Sequence, residues 1–94
     1  PKYPNVVRDL AVIVDTACSW NDLYTEVKGT SGLIELVELF DIFQSDKQLG
    51  VGKKSLAFSI TFRSPEKTLT SDDVEVVMQK IIKNLKTKFQ AQQR

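Results

Sequence analysis

Few residues in this chain are of a type that makes or breaks bonds. None of the 94 residues is histidine, which excludes Ser-His-Asp and Cys-His nucleophile couples and any histidine-ligated zinc. The single cysteine, Cys18, has no partner for an internal disulfide and no metal-ligand spacing around it, so it reads as a small apolar side chain. Gly50-Val51-Gly52-Lys53-Lys54-Ser55 has a superficial likeness to a phosphate loop. It lacks the four-residue spacing between glycines and lies between strands rather than before a helix. Asp72, Asp73 and Glu75 fall in the first turn of a helix, where carboxylates favour the positive end of the dipole. No catalytic residue and no metal site is expected.

What remains is a surface. From Ser55 to Arg63 the chain alternates, with Leu56, Phe58, Ile60 and Phe62 pointing one way and Ser55, Ala57, Ser59, Thr61 and Arg63 the other. The apolar face needs a cover of helices. The small polar face can stay open, and with an aromatic supplied by the preceding run Leu39-Phe40-Asp41-Ile42-Phe43 it is a platform for stacking single-stranded bases.

The flanking segments supply the scaffold. Val6 to Asp15 reads as a central strand, with Leu10, Val12 and Val14 on one face and Ala11 and Ile13 on the other. Ser19-Trp20-Asn21-Asp22 matches a capping box, and Trp20, Leu23, Tyr24 and Val27 follow at helical spacing until Gly29. Ile34 to Gln44 is a second strand whose apolar phases conflict: Val37, Leu39 and Phe43 share one parity, Leu36, Phe40 and Ile42 the other. A bulge near Leu39–Phe40 resolves the conflict. Residues 45–53 are expected to form a hairpin loop and Lys54 to Arg63 the third strand. Thr70-Ser71-Asp72-Asp73 is a second capping box, opening a helix that turns Val74, Val77, Met78, Ile81, Ile82 and Leu85 inward. A short strand around Lys88 to Gln92 completes β-α-β-β-α-β. That order is the ferredoxin-like α+β arrangement, a four-stranded antiparallel sheet with two helices on one face, strands one and three central.

Composition agrees. Ninety-four residues make one domain, 1–94, with 41% hydrophobic and 27% charged residues typical of a soluble fold. No apolar run approaches the ~18 residues of a membrane span, and no signal peptide is evident, so the expected compartment is the cytoplasm. Net charge is +1, unevenly spread: residues 1–78 hold eight basic and twelve acidic side chains, and residues 79–94 hold five basic and none acidic. Lys80, Lys83, Lys86 and Lys88 read first as a solvated face that suits the negative end of a helix dipole. Arg8-Asp9 are expected to find separate partners, since adjacent strand residues face opposite sides.

Taken together, Tyr3-Pro4, Arg8-Asp9-Leu10, Leu39-Phe40-Asp41-Ile42-Phe43, Lys53-Lys54-Ser55-Leu56-Ala57 and Thr68-Leu69-Thr70 resemble the ferredoxin-fold anticodon-binding domain at the C-terminus of the phenylalanyl-tRNA synthetase beta subunit. The resemblance covers nearly the whole chain. It implies a fragment of a larger polypeptide that binds the anticodon stem-loop of tRNA(Phe) and no DNA. It further implies a parent ligase using ATP and Mg2+, with its catalytic site on an alpha subunit and no cofactor in this domain. By the same resemblance Phe43 stacks on an anticodon base, where the family more often has tyrosine, and Asp41 accepts from base-edge donors. Ser55 matches a serine beside the loop and Ala11 a small residue that lets a base approach. Apart from the resemblance, the placement of the helices behind the sheet leaves Lys53, Lys54 or Lys88 as the expected phosphate contacts. The chain ends Gln90-Ala91-Gln92-Gln93-Arg94 where the family usually closes Gly-Ala-x-apolar-Arg.

Two other classes fit the same element order. One is a small acylphosphatase-type enzyme that would use Arg8 and Asn5 around a phosphate. The other is a regulatory module that dimerises through sheet edges and binds amino acids.

Overall fold

The computed structural model describes residues 3–94. The elements run β1 (Val6–Asp15), α1 (Trp20–Lys28), β2 (Ile34–Phe43), α2 (Asp46–Leu49), β3 (Lys53–Phe62), α3 (Ser71–Phe89) and β4 (Gln92–Gln93). All strand pairs are antiparallel and the sheet order is β2-β3-β1-β4, with β1 and β3 central as expected.

The alternation read in β3 decides the layering. Leu56, Phe58, Ile60 and Phe62 are each 0% exposed and lie beneath the helices with Leu10, Val12 and Val14 of β1. Leu23 and Val27 of α1 and Val74, Val77, Met78, Ile81 and Leu85 of α3 close the core from above. Burying such side chains stabilises by about 1.5–3 kcal/mol apiece, which makes this layer the chief source of stability. Trp20 adds its ring against Phe58 at 5.3 Å between centroids.

Local signals set the helix ends. At Thr70 both halves of the capping box form, Asp73 N–H donating to Thr70 Oγ1 at 3.1 Å and Thr70 N–H to Asp73 Oδ2 at 2.9 Å. The bond from the Thr70 backbone N–H, with the Thr70 hydroxyl and Lys67 alongside, holds the Asp73 carboxyl below the ordinary Asp pKa. At Ser19 only the forward half forms, from Asp22 N–H at 3.1 Å.

Several boundaries differ from expectation, and one short element is added. The hairpin loop contains a single helical turn, α2, because Ser45 caps it through Gln48 N–H at 3.2 Å; helices among the described residues therefore number three rather than two. Gly50, at φ 98°, then releases the chain in a conformation that L side chains rarely adopt. β3 begins one residue early at Lys53 and ends at Phe62, and β2 ends at Phe43. The largest shift is at the end. α3 continues through Lys88 to Phe89, Gln90 caps it with a left-handed φ of 54°, and β4 is confined to Gln92–Gln93. Phe89 falls four residues after the buried Leu85, so the apolar stripe carries the helix through the expected start of the strand at Lys88.

β2 carries the anticipated bulge between Leu39 and Asp41 and a second between Ile34 and Leu36. Each inserts one residue and inverts the facing of every later side chain in the strand. Ile34, Val37, Leu39 and Ile42 therefore pair with the core-facing residues of β3, while Leu36, Asp41 and Phe43 pair with those of the open face.

Candidate nucleic-acid interface

The registers of β1, β3 and β2 arrange the uncovered face in four rows: Ile13–Ser55–Phe43, Ala11–Ala57–Asp41, Asp9–Ser59–Glu38 and Val7–Thr61–Leu36. The middle of the first two rows is a floor of small side chains, Ala11, Ala57 and Ser55. Phe43 stands at its edge, half-buried, because the bulge at Phe40 turned it to this side. Without that inserted residue Phe43 would face the helices.

Arg94 enters from the opposite edge. Its backbone N–H donates to Ala11 carbonyl at 2.8 Å, which extends the β4 ladder by one residue and puts Arg94 in the Ala11 row. The guanidinium reaches over the small floor to Phe43, with Cζ 4.9 Å from the ring centroid. β4 and β2 are the two outer strands of the four, so the two side chains meet above β1 and β3. Ser55, on the same face, is only 2% exposed.

The sequence-derived site residues divide accordingly. Phe43, Asp41 and Ala11 are gathered on the open face, and Ser55 is beside them but buried as a part of the floor. Lys53 sits at the end of the same parity, tied to Asp15 by a 2.6 Å ion pair. Lys54 takes the other parity, opposite the buried Val14, and its charge acts on the Cys18 thiol. Burial pushes that thiol up from its usual range, and Lys54 only partly opposes the shift. Lys54 is thus removed from Phe43 by the thickness of the sheet. The lysines of α3 lie on the outer helix surface, with Lys88 paired to Glu26 at 3.0 Å.

Two features were missed in the sequence. One is the Arg94–Phe43 contact, for which the terminal arginine was the only signal. The other is the acidic character of the face: Asp9, Glu38 and Asp41 are exposed on it in adjoining rows, as the alternation of β1 and β3 already implied for Asp9. Carboxylates there repel phosphate and accept from the amino and imino groups of base edges. Arg63, of open-face parity, is withdrawn at the far end. Its Nε lies 2.9 Å from Glu35 Oε2, without the alignment of a hydrogen bond, and its Nη1 donates to Tyr3 carbonyl at 3.2 Å. Arg8 and Asn5 form no phosphate cradle: Arg8 has core-side parity and donates to Val7 carbonyl at 3.3 Å. Among the described residues, no group of three or more Cys, Asp or Glu side chains is placed to hold a metal ion, and no helix is long and apolar enough to cross a membrane.

Comparison with known proteins agrees with this geometry. The model of the ferredoxin-fold anticodon binding domain matches residues 1–94. The phenylalanine–tRNA ligase beta subunit of Porphyromonas gingivalis is 41% identical over 95 residues, spanning 100% of this chain and 12% of the relative. That of Clostridium acetobutylicum is 40% identical over 86 residues, 90% of this chain and 11% of the relative. That of Coxiella burnetii is 35% identical over 94 residues, 99% and 12% respectively. The chain spans about an eighth of the length of these curated relatives. With a whole-length match to the family model, an uncovered four-stranded sheet face and an aromatic held at its edge, this chain belongs to the ferredoxin-fold anticodon binding domain family.

Proposed function

We propose that this domain binds the anticodon stem-loop of tRNA(Phe) through its open sheet face, as a piece of a phenylalanine–tRNA ligase beta subunit. The observation that carries the reading is the position of Phe43, an aromatic at the rim of a small-residue floor on the face that no helix covers. A base stacked there rests on a π surface that tolerates any sequence, and Asp41 in the next row accepts from its edge. Ala11 and Ala57 leave the clearance for a ring to approach the backbone. Ser55 supports the floor, and Lys53 contacts phosphate at the rim once it exchanges Asp15 for the RNA. Lys54 serves only a strand that wraps past the hairpin.

The domain binds and does not catalyse. In the parent ligase, ATP and Mg2+ act at a site outside this chain, on the alpha subunit that the remainder of the beta chain contacts, and the assembly works in the cytoplasm. The test is Phe43→Ala with an RNA stem-loop carrying the tRNA(Phe) anticodon. Loss of one stacked base removes about 1–3 kcal/mol, roughly a 5- to 150-fold rise in Kd, with the circular dichroism spectrum unchanged. An unchanged Kd refutes the reading.

A further inference from the structure

We propose that Arg94 holds the base seat closed in the free domain: its guanidinium lies over the Phe43 ring where a base would stack, and RNA must displace it to bind. The proposal rests on the open sheet face being the RNA-binding surface. Two observations support it. The Arg94 Cζ lies 4.9 Å from the Phe43 centroid, inside the ~6 Å range of a cation–π contact. The side chain springs from an anchored point, since Arg94 N–H is bonded to Ala11 carbonyl at 2.8 Å.

The chemistry suits a place-holder. A guanidinium is planar, delocalised and weakly hydrated, and it stacks on an aromatic as a base does. Among the described residues Arg94 takes part in no ion pair, although Asp41 stands in the same register row; the ring is its partner. Small residues beneath are required for this contact, because two side chains from opposite edges meet over the sheet only where Ala11, Ala57 and Ser55 leave room. A contact of this kind at an exposed site favours the closed form about two- to fivefold, which lowers the apparent affinity for RNA about three- to sixfold.

The test uses the 94-residue chain and the same anticodon stem-loop. Without RNA, the Arg94 Nε–H resonance should be shifted upfield by the Phe43 ring, and the shift should vanish in Phe43→Leu and on titration with the stem-loop. Arg94→Ala should bind the stem-loop about three- to sixfold more tightly, with the dependence of Kd on salt unchanged. Weaker binding by Arg94→Ala, with the salt slope reduced by about one unit, would overturn the proposal by showing that the guanidinium neutralises a phosphate. Equal binding, or the absence of a ring-current shift, would overturn it too. If Phe43→Ala leaves the Kd unchanged, the stacking reading fails and this proposal with it. A loss for Phe43→Ala without a gain for Arg94→Ala overturns this proposal alone.

Discussion

Truncating Phe58 to alanine should cost this domain a third or more of its stability. The side chain is 0% exposed, paired across the sheet with Leu10 on one side and Leu39 on the other, and covered by the Trp20 ring at 5.3 Å with a 49° tilt. A buried Phe→Ala change costs about 3–5 kcal/mol, and a tilted aromatic pair is worth about 0.5–1.5 kcal/mol beyond its buried area. The site has little room to collapse, since Phe58 sits mid-strand between two fully laddered neighbours, so the loss should fall at about 4–5 kcal/mol, the upper end. At ~0.05–0.15 kcal/mol per residue, a domain of this length holds roughly 5–14 kcal/mol in all. Urea unfolding, followed in parallel by far-ultraviolet circular dichroism and by Trp20 fluorescence, reads the difference. Phe58→Leu, run alongside, should lose less while still releasing the indole. A loss below about 1 kcal/mol at unchanged m, the size of an ordinary surface substitution, would refute the placement of the core's centre at Phe58.

Four further outcomes are expected. Thr70→Ala should destabilise α3 by about 1 kcal/mol, measured by urea unfolding. The pH arm concerns its partner: because the Asp73 carboxyl is held below its ordinary pKa, its contribution is present above pH ~4 and is lost as pH falls through the lowered folded value. Melting curves of wild type and Asp73→Asn should therefore converge toward acid pH and separate above pH ~4. Gly50→Ala should cost about 1–3 kcal/mol in the same unfolding assay, since the φ of 98° is strained for any L side chain although nothing crowds the added Cβ closer than 3.9 Å. Lys80→Gln and Lys83→Gln should leave the salt slope of RNA binding unchanged, because both lie exposed on the helix layer behind the sheet; a slope reduced by about one unit would show RNA wrapping round the domain.

The fold was legible wherever short-range chemistry decides it. The β3 alternation, the Thr70 capping box and the stripe from Val74 to Leu85 each state their own structure, and together they determine the layers. The phase conflict in β2 revealed the bulge at Phe40 because apolar residues stood on both parities there. The bulge at Glu35 left no such trace, since a charged residue at an edge strand is equally at home in register or out of it. The turn Asp46–Leu49 is too short to show a period, and only Ser45 hinted at it. At the chain's end the helical spacing of Leu85 and Phe89 competed with a strand, and the helix prevailed. The candidate site was legible in its aromatic, its acceptor and its small floor. The burial of Ser55 was not, because it depends on contacts between residues far apart in the chain.

The brevity of β4 leaves β1 in an unusual position for an inner strand. β4 covers it only at Val12 and Ile13, with one further bond at Ala11, so the outer edge from Val6 to Leu10 has no strand beside it among the described residues. In an antiparallel ladder alternate residues point their amides to opposite sides; Ala11 points outward to Arg94, and Val7 and Asp9 share its direction. Those two amides should exchange with solvent deuterium rapidly while their neighbours Arg8 and Leu10, bonded into β3, are slow. The same open edge is a template onto which another strand can add, and the charges of Arg8 and Asp9 stand along it as the guard against self-association. Neutralising both should therefore show itself first as concentration-dependent clumping of the folded domain, before any loss of its stability.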